Sequence, residues 1–332
     1  TLTDFLKTVL LFGVLAGSVR GVRDVERLVL VYFAATVVYA AVVLSRFQVG
    51  GDSWRLGDLY DYDANDFATL IATAIPLGLY FILAQRRLLW RSLAAAGVAV
   101  LAVGEIHSGS RGGFLALLAV ALVVLLGFTT LPARSRMMGL VAIVCVIVAT
   151  ASNKYWTQMQ TMFNPDHDYN ATSEGGRLKI WGRGLGYMTA YPVLGVGAGD
   201  FPVAEGTISP FAKLQQSGIG VRWGAAHNSF IEVGAELGIP GLVLFVGFIA
   251  STLVLLRRVA RTARAVGPPA IAVARLAQSL TAALIGFAVG AFFLSLAYAD
   301  MLYTLAALAV GLGKIAGVTV ASRVHASSPR GV

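Results

Sequence analysis

The stretch Ala225–Gly241, AAHNSFIEVGAELGIPG, runs directly into Leu242–Leu256, LVLFVGFIASTLVLL. The second half decides the fold. A run this long and this apolar is a membrane-spanning helix rather than a water-facing surface. The first half poses a chemical question: a histidine, an asparagine, a serine and two glutamates crowd the start of that helix, where ionisable groups are costly.

The rest of the chain follows the second half. Of 332 residues, 57% are hydrophobic and 13% charged, and the mean hydropathy is +0.75, well outside the soluble range. A span needs about 20 apolar residues, and roughly nine runs come close. They are Phe5–Val19, Leu28–Ser45, Phe67–Ala84, Leu93–Ile106, Phe114–Leu131, Met138–Ala151, Phe230–Leu256, Ile271–Leu296 and Met301–Val320. Leu93–Ile106 is short for a span and is expected to extend into the polar residues that follow. The organisation expected is about six transmembrane helices over 1–151, one large polar loop over 152–229, about three helices over 230–320 and a cytoplasmic tail over 321–332.

The net charge is +9, and its placement orients the chain. Arg20, Arg23 and Arg27, then Arg86, Arg87 and Arg91, then Arg134 and Arg136, then Arg257, Arg258, Arg261 and Arg264, and finally Arg323 and Arg330 fall in alternate loops. By the positive-inside rule these loops are cytoplasmic, and the excess is not a nucleic-acid footprint. Asp52, Asp58, Asp61, Asp63, Asp66 and the long polar segment then face outward. This puts Thr1 outside and Val332 inside. With no initial Met and no signal-peptide pattern, further helices are expected upstream. Cys145 sits in an apolar run and reads as a packing residue. Gly267–Pro269 reads as a cytoplasmic turn.

Within the outer loop, TSEGGRLKIWGRGLGYMTAYP (172–192) reads as a helix capped by Thr172 or Ser173 and ended before Pro192. Arg177 and Trp181 are four apart and share a face. The helix is expected to lie along the membrane surface, with Ile180, Trp181 and Tyr187 at the interface.

Four outward places carry polar residues that need explaining. In DANDFATL (63–70), Asn65 or Asp66 is expected to cap the third span. In GEIHSGSRGGFLAL (104–117), Ser-Gly-Ser supplies a turn, and Arg111 either snorkels or holds an anion, with Gly112 and Gly113 permitting close backbone approach. The Arg177 helix also carries Lys179 and Arg183, charges suited to lipid phosphates or to the phosphates of a lipid-linked substrate. In the opening stretch, Asn228 or Ser229 suits an N-cap, whereas His227 is not needed to start a helix. Glu232 and Glu236 lie four apart and are expected to form a polar stripe facing a cavity.

Two other motifs fail. DHDYNATSEGGR (166–177) starts like a calcium loop but has Ala171 and Arg177 where Gly and the bidentate Glu belong. GVGAGDF (195–201) has Asp200 at the third glycine of a dinucleotide fingerprint, so it reads as a turn-rich loop. Zinc spacings, a GxSxG elbow and a Walker loop are absent from the sequence. No metal and no cofactor are expected.

SGSRGGFLAL, GGRLKIWGRGLGYMTAYPVLGVGAGDF and HNSFIEVGAELGIPGL, taken together and in this order, resemble the O-antigen ligase and polymerase superfamily of bacterial membrane glycosyltransferases. DANDFATL is a weaker fourth element. The resemblance implies an all-α, polytopic transmembrane bundle of GT-C type, with one large periplasmic loop containing an interfacial helix. It also implies transfer of a glycan from an undecaprenyl-diphosphate carrier to an acceptor on the periplasmic face of the inner membrane, without a metal. By motif position, Arg111 and Arg177 would bind the diphosphate and His227 would sit at the reaction centre. Lys179, Trp181, Arg183, Arg222, Asn228, Glu232 and Asn65 are further candidates for substrate contact.

The chemistry of these residue types agrees. Arginines stabilise the charge that develops on a diphosphate leaving group, and a neutral imidazole is a suitable base for an acceptor hydroxyl. Glu232 remains a competing base. A ligase acting on a lipid A core sugar is the reading preferred, in an inverting displacement. A polymerase of lipid-linked repeats, a protein O-oligosaccharyltransferase and, from another class, a transporter of lipid-linked glycans are the alternatives.

Overall fold

The computed structural model describes residues 2–47, 55–56, 62–163, 173, 175–210, 212 and 224–327. Every regular element among them is a helix. The described residues form an all-helical, polytopic bundle, and seven of their helices are long and apolar enough to cross a membrane. In order, the helices are α1 (Leu2–Ser18), α2 (Val22–Arg46), α3 (Ala64–Ala84), α4 (Leu88–Ser108), α5 (Arg111–Gly127), α6 (Ala133–Thr150), α7 (Asn153–Gln160), α8 (Arg177–Ala190), α9 (Phe201–Thr207), α10 (Ser229–Val266), α11 (Ile271–Ala291) and α12 (Asp300–Ser327).

All nine apolar runs fall in helices, with informative differences at the ends. The short run at Leu93–Ile106 lies inside a helix of 21 residues, Leu88–Ser108. The run Ile271–Leu296 instead ends its helix at Ala291, because Ser229 captures the chain just beyond it. The Ser229 hydroxyl donates to the Leu294 carbonyl at 2.7 Å and accepts the Leu296 N–H at 2.8 Å. Residues 292–299 thereby become a non-helical link between α11 and α12.

The centre of the bundle is α3 with α11. Of their most apolar windows 72% is buried, against 6% for α6, so α3 and α11 are wrapped by protein while α6 faces outward on most sides. A helix apolar on all sides suits either environment, so composition alone does not separate these two cases. At the entry to α5, glycine is required: a Cβ on Gly113 would meet Ala68 Cβ at 2.3 Å and Glu105 Oε1 at 2.5 Å. This close approach of α5 to α3 and α4 brings the first residue of α5 to the end of the bundle where the polar loops gather.

The turn expected at Ser108–Ser110 is present, with Gly109 in the left-handed region (φ 58) and the Ser110 hydroxyl accepting from Gly113 N–H at 3.0 Å. The cap of α3 is Asp63 rather than Asn65 or Asp66. Its carboxylate accepts from Asn65 N–H at 2.6 Å and Asp66 N–H at 2.8 Å, while Asp66 reaches back in a capping box. The helix expected from Thr172 or Ser173 begins only at Arg177, with Gly176 as cap; Ser173 closes a turn before it, accepting from Gly175 N–H. Thr172 and the calcium-like residues 166–171 lie outside the described residues.

The helix α10 is broken near its start. Gly238 sits at φ 69, ψ −171, and Pro240 follows inside the helix. Proline has no N–H to offer the Glu236 carbonyl, and its ring pushes that carbonyl aside. The loop after α8 satisfies the groups this frees. Val196 N–H donates to Ala235 O at 2.9 Å, Gly197 N–H to Glu236 O at 3.0 Å, and Ile239 N–H to Pro192 O at 2.8 Å. The Glu236 side chain completes the dock, accepting from Gly199 N–H at 2.8 Å, Phe201 N–H at 3.0 Å and Tyr298 O–H at 2.7 Å.

A Cβ on Gly238 would meet Pro192 O at 2.6 Å in a left-handed backbone, so Gly238→Ala is expected to cost about 2 kcal/mol or more. Gly247 has nothing within 4 Å of such a Cβ, and Gly247→Ala is expected to be neutral or to stabilise by about 1 kcal/mol. Thermal unfolding of the two variants in detergent separates them.

Candidate functional site

The polar ends of α3, α5, α8 and α10 meet at one end of the bundle. A cavity of about 680 Å³ opens there, lined by Arg111, Arg177, Trp181, Thr161, Phe293 and a larger set of apolar side chains. Arg111, first residue of α5, donates from Nη1 to Thr161 Oγ1 at 2.9 Å. Arg177 and Trp181 come from one face of α8, as their spacing requires. Leu118, Trp156, Phe163 and Leu178 give the cavity an exposed apolar rim. Two cationic forks therefore stand at the polar end of an otherwise greasy cleft.

His227 does not line this cavity; Trp181 connects it. The indole Nε1–H donates to the Ala226 carbonyl at 3.0 Å, and the ring packs edge-on to Phe292 at 5.5 Å between centroids. Burial holds the His227 imidazole below its usual pKa, the Arg177 charge adds to this, and Asp63 opposes it. The imidazole is thus kept neutral, with Arg177 and Asp63 within electrostatic reach. Among the described residues, His227 is the one non-glycine with positive φ, 49°, a conformation that costs about 1–3 kcal/mol and marks strained functional positions.

Arg55 is a third arginine at this end, and the charge pattern had not singled it out. Its Nε donates to the Ser108 carbonyl at 2.6 Å and its Nη2 to Asn65 Oδ1 at 2.6 Å. Burial lowers its pKa, the Asp63 carboxylate raises it and the Arg111 charge lowers it. Arg55 also lies in the acidic stretch 52–66, so the argument that flagged Arg111 against the positive-inside trend applies to it as well. Asn65 therefore serves Arg55 and the mouth of α5 rather than capping α3. Glu105, 2% exposed, sits behind Arg111's helix with both carboxyl oxygens lacking a hydrogen-bond partner among the described residues.

Other candidates have structural occupations. Arg183 makes a forked ion pair with Glu205, its Nε 3.0 Å from Oε1 and its Nη2 2.6 Å from Oε2, and Tyr187 O–H donates to the same carboxylate at 2.7 Å. This pair ties α8 to α9 and points Arg183 away from the cavity. Lys179 is exposed and does not line the cavity, because a two-residue step on a helix turns the side chain to the opposite side. Asn228 is the N-cap of α10, accepting from Phe230 N–H at 2.9 Å and Ile231 N–H at 3.1 Å. Glu232 and Glu236 do not form a stripe along the cavity; Glu236 holds the loop after α8, and Glu232 has the Ser295 hydroxyl and the Ala297 N–H as neighbouring donors, with its Oε2 buried and without a hydrogen-bond partner among the described residues. Ile180 and Tyr187, expected at a lipid interface, are instead buried against Phe201, Ala204 and Ala235. Arg222 lies outside the described residues.

Residues 96–246 match the family model described as O-antigen ligase. The matched stretch includes Arg111, Arg177, Trp181 and His227 and ends just beyond the kink of α10. No curated protein matches the chain.

The neighbours of His227 predict opposite shifts. Asp63→Asn removes the charge that raises the imidazole pKa while keeping a good cap, so the titration midpoint of His227 moves to lower pH. Arg177→Gln removes a charge that lowers it, so the midpoint moves to higher pH. The pH dependence of diethyl pyrocarbonate modification at His227, read by mass spectrometry, measures both.

Proposed function

With residues 96–246 in the O-antigen ligase superfamily, we propose that this membrane protein transfers a glycan from an undecaprenyl-diphosphate carrier to an acceptor hydroxyl on the periplasmic face of the inner membrane. The acceptor favoured is the lipid A core of lipopolysaccharide. The observation that carries the reading is the cavity in which Arg111 and Arg177 converge from separate elements onto a cleft otherwise lined by apolar side chains. A lipid-linked diphosphate has that division: two phosphates for the arginines and a hydrocarbon chain for the greasy wall and exposed rim.

In the mechanism, Arg111 and Arg177 hold the diphosphate, and Arg55 adds positive potential behind Arg111. The acceptor oxygen attacks the anomeric carbon, and the bond from that carbon to the diphosphate oxygen breaks, its electron pair remaining with the leaving group. The arginines stabilise the negative charge that develops there. The acceptor's proton passes to the imidazole of His227, which burial and Arg177 keep neutral and able to accept it. Attack opposite the leaving group inverts the anomeric centre. Trp181 packs at the junction between the arginine cavity and His227, a suitable platform for the transferred sugar.

The test is a transfer assay with purified full chain, an undecaprenyl-diphosphate glycan and a lipid A core acceptor, run with chelator present. Wild type is expected to move the glycan to the acceptor. Arg111→Gln and Arg177→Gln are each expected to lower kcat about 100-fold or more, and His227→Ala about 100- to 10,000-fold. Lengthening of the carrier-linked glycan in place of transfer would make the enzyme a polymerase, and a donor that is moved but never consumed would make the protein a transporter.

A further inference from the structure

His227 is held by its backbone, and the residues that hold it form a small network of their own. Its N–H donates to Ser295 Oγ at 3.0 Å. The residues on either side are fixed separately: Ala226 O by the Trp181 indole, Asn228 by capping α10, and Ser229 by its two bonds to the 292–299 link. Ser295 is therefore the side chain of the link that hydrogen-bonds His227 itself. A hydroxyl has one hydrogen and two lone pairs. With one lone pair taken by the His227 N–H, the hydrogen is free to turn toward the Glu232 carboxylate, whose neighbouring donors are the Ser295 hydroxyl and the Ala297 N–H and whose Oε2 is buried without a hydrogen-bond partner among the described residues. Glu232 is 9% exposed and does not line the cavity that holds the arginines.

We propose that Ser295 and Glu232 are positioning residues for His227: Glu232 orients the Ser295 hydroxyl, and Ser295 fixes the left-handed backbone from which the imidazole reaches the acceptor. This rests on the transferase reading for its effect on rate, but its geometric content does not. It also changes the standing of Glu232, which the sequence leaves open as a rival base. In this arrangement the carboxylate acts as a hydrogen-bond acceptor, so its charge is dispensable and its acceptor oxygen is not.

The experiment uses the full chain in lipid nanodiscs with two readouts. The first is diethyl pyrocarbonate modification of His227 relative to His107, which needs no substrate and reports distortion at His227 alone. The second is kcat and donor KM for transfer from undecaprenyl-diphosphate glycan. Ser295→Ala is expected to change the relative reactivity of His227 by about threefold or more and to lower kcat about 10- to 100-fold, the size of effect produced by misplacing a reacting group by about 1 Å, with donor KM nearly unchanged. Ser295→Thr, which keeps the hydroxyl, restores both. Glu232→Gln keeps an acceptor oxygen and stays within about threefold of wild type, whereas Glu232→Leu behaves like Ser295→Ala.

Loss of activity in Glu232→Gln as deep as in His227→Ala would make Glu232 a base and overturn the proposal. Unchanged His227 reactivity in both Ser295→Ala and Glu232→Leu would overturn it too. If Ser295→Ala alters His107 as much as His227, that variant has lost its fold, and Glu232→Leu against Glu232→Gln decides. If wild type transfers no glycan to any acceptor, the transferase reading fails while the His227 reactivity still decides the positioning.

Discussion

The break in α10 at Gly238–Pro240 is the constraint on which the polar end of this bundle depends. A proline inside a helix leaves a carbonyl without its donor and costs about 3 kcal/mol in a simple helix. Here the orphaned carbonyls of Ala235 and Glu236 become acceptors for the loop that follows α8. The defect in one helix is thus the anchorage of another. Because α8 carries Arg177 and Trp181, the position of the arginine cavity against His227 follows from how that loop seats on the break. The Arg183–Glu205 pair, with Tyr187, then locks α8 to α9 in a low-dielectric setting where an unpaired partner would be expensive.

The crowding of polar groups at the start of α10 resolves into separate tasks. Asn228 caps the helix, Ser229 captures the link between α11 and α12, Glu232 backs Ser295, and Glu236 gathers two N–H groups and a tyrosine hydroxyl. Most of these groups are thereby occupied within the protein, which is how a membrane helix tolerates them; the exception among the described residues is Glu232 Oε2, buried without a hydrogen-bond partner. His227 remains as the member that, among the described residues, is hydrogen-bonded through its backbone N–H, to Ser295.

The spans were legible in the sequence because length and apolarity are sufficient to define them; the break in α10 was not, because Phe230–Leu256 is apolar enough to read as one continuous span in spite of its proline. Arg111 was legible as a cation on the acidic side of the membrane, and Arg177 with Trp181 through their four-residue spacing. Arg55 carried the same signal as Arg111 and was passed over because it lay in a loop with no helix to give it a direction. Ser295 carried no signal, since a serine in an apolar run gains its role only when Ser229 bends the chain around it. Arg183 and Glu236 were misread for a common reason: a sequence displays a charge without its partner, and the partners, Glu205 and the N–H groups of 199 and 201, are supplied by tertiary structure.

The break in α10 has a consequence for biogenesis. The loop over residues 192–201 is synthesised before Ala235 and Glu236, the groups that will hold it. During translation it must wait at the membrane surface with its N–H groups hydrated until the later helix is inserted and its two freed carbonyls are presented. Glycines at 195, 197 and 199 suit that interval, because a chain rich in glycine resists premature helix or strand and stays available for capture. The order of synthesis therefore favours a site that closes last, after the bundle that supports it has entered the bilayer.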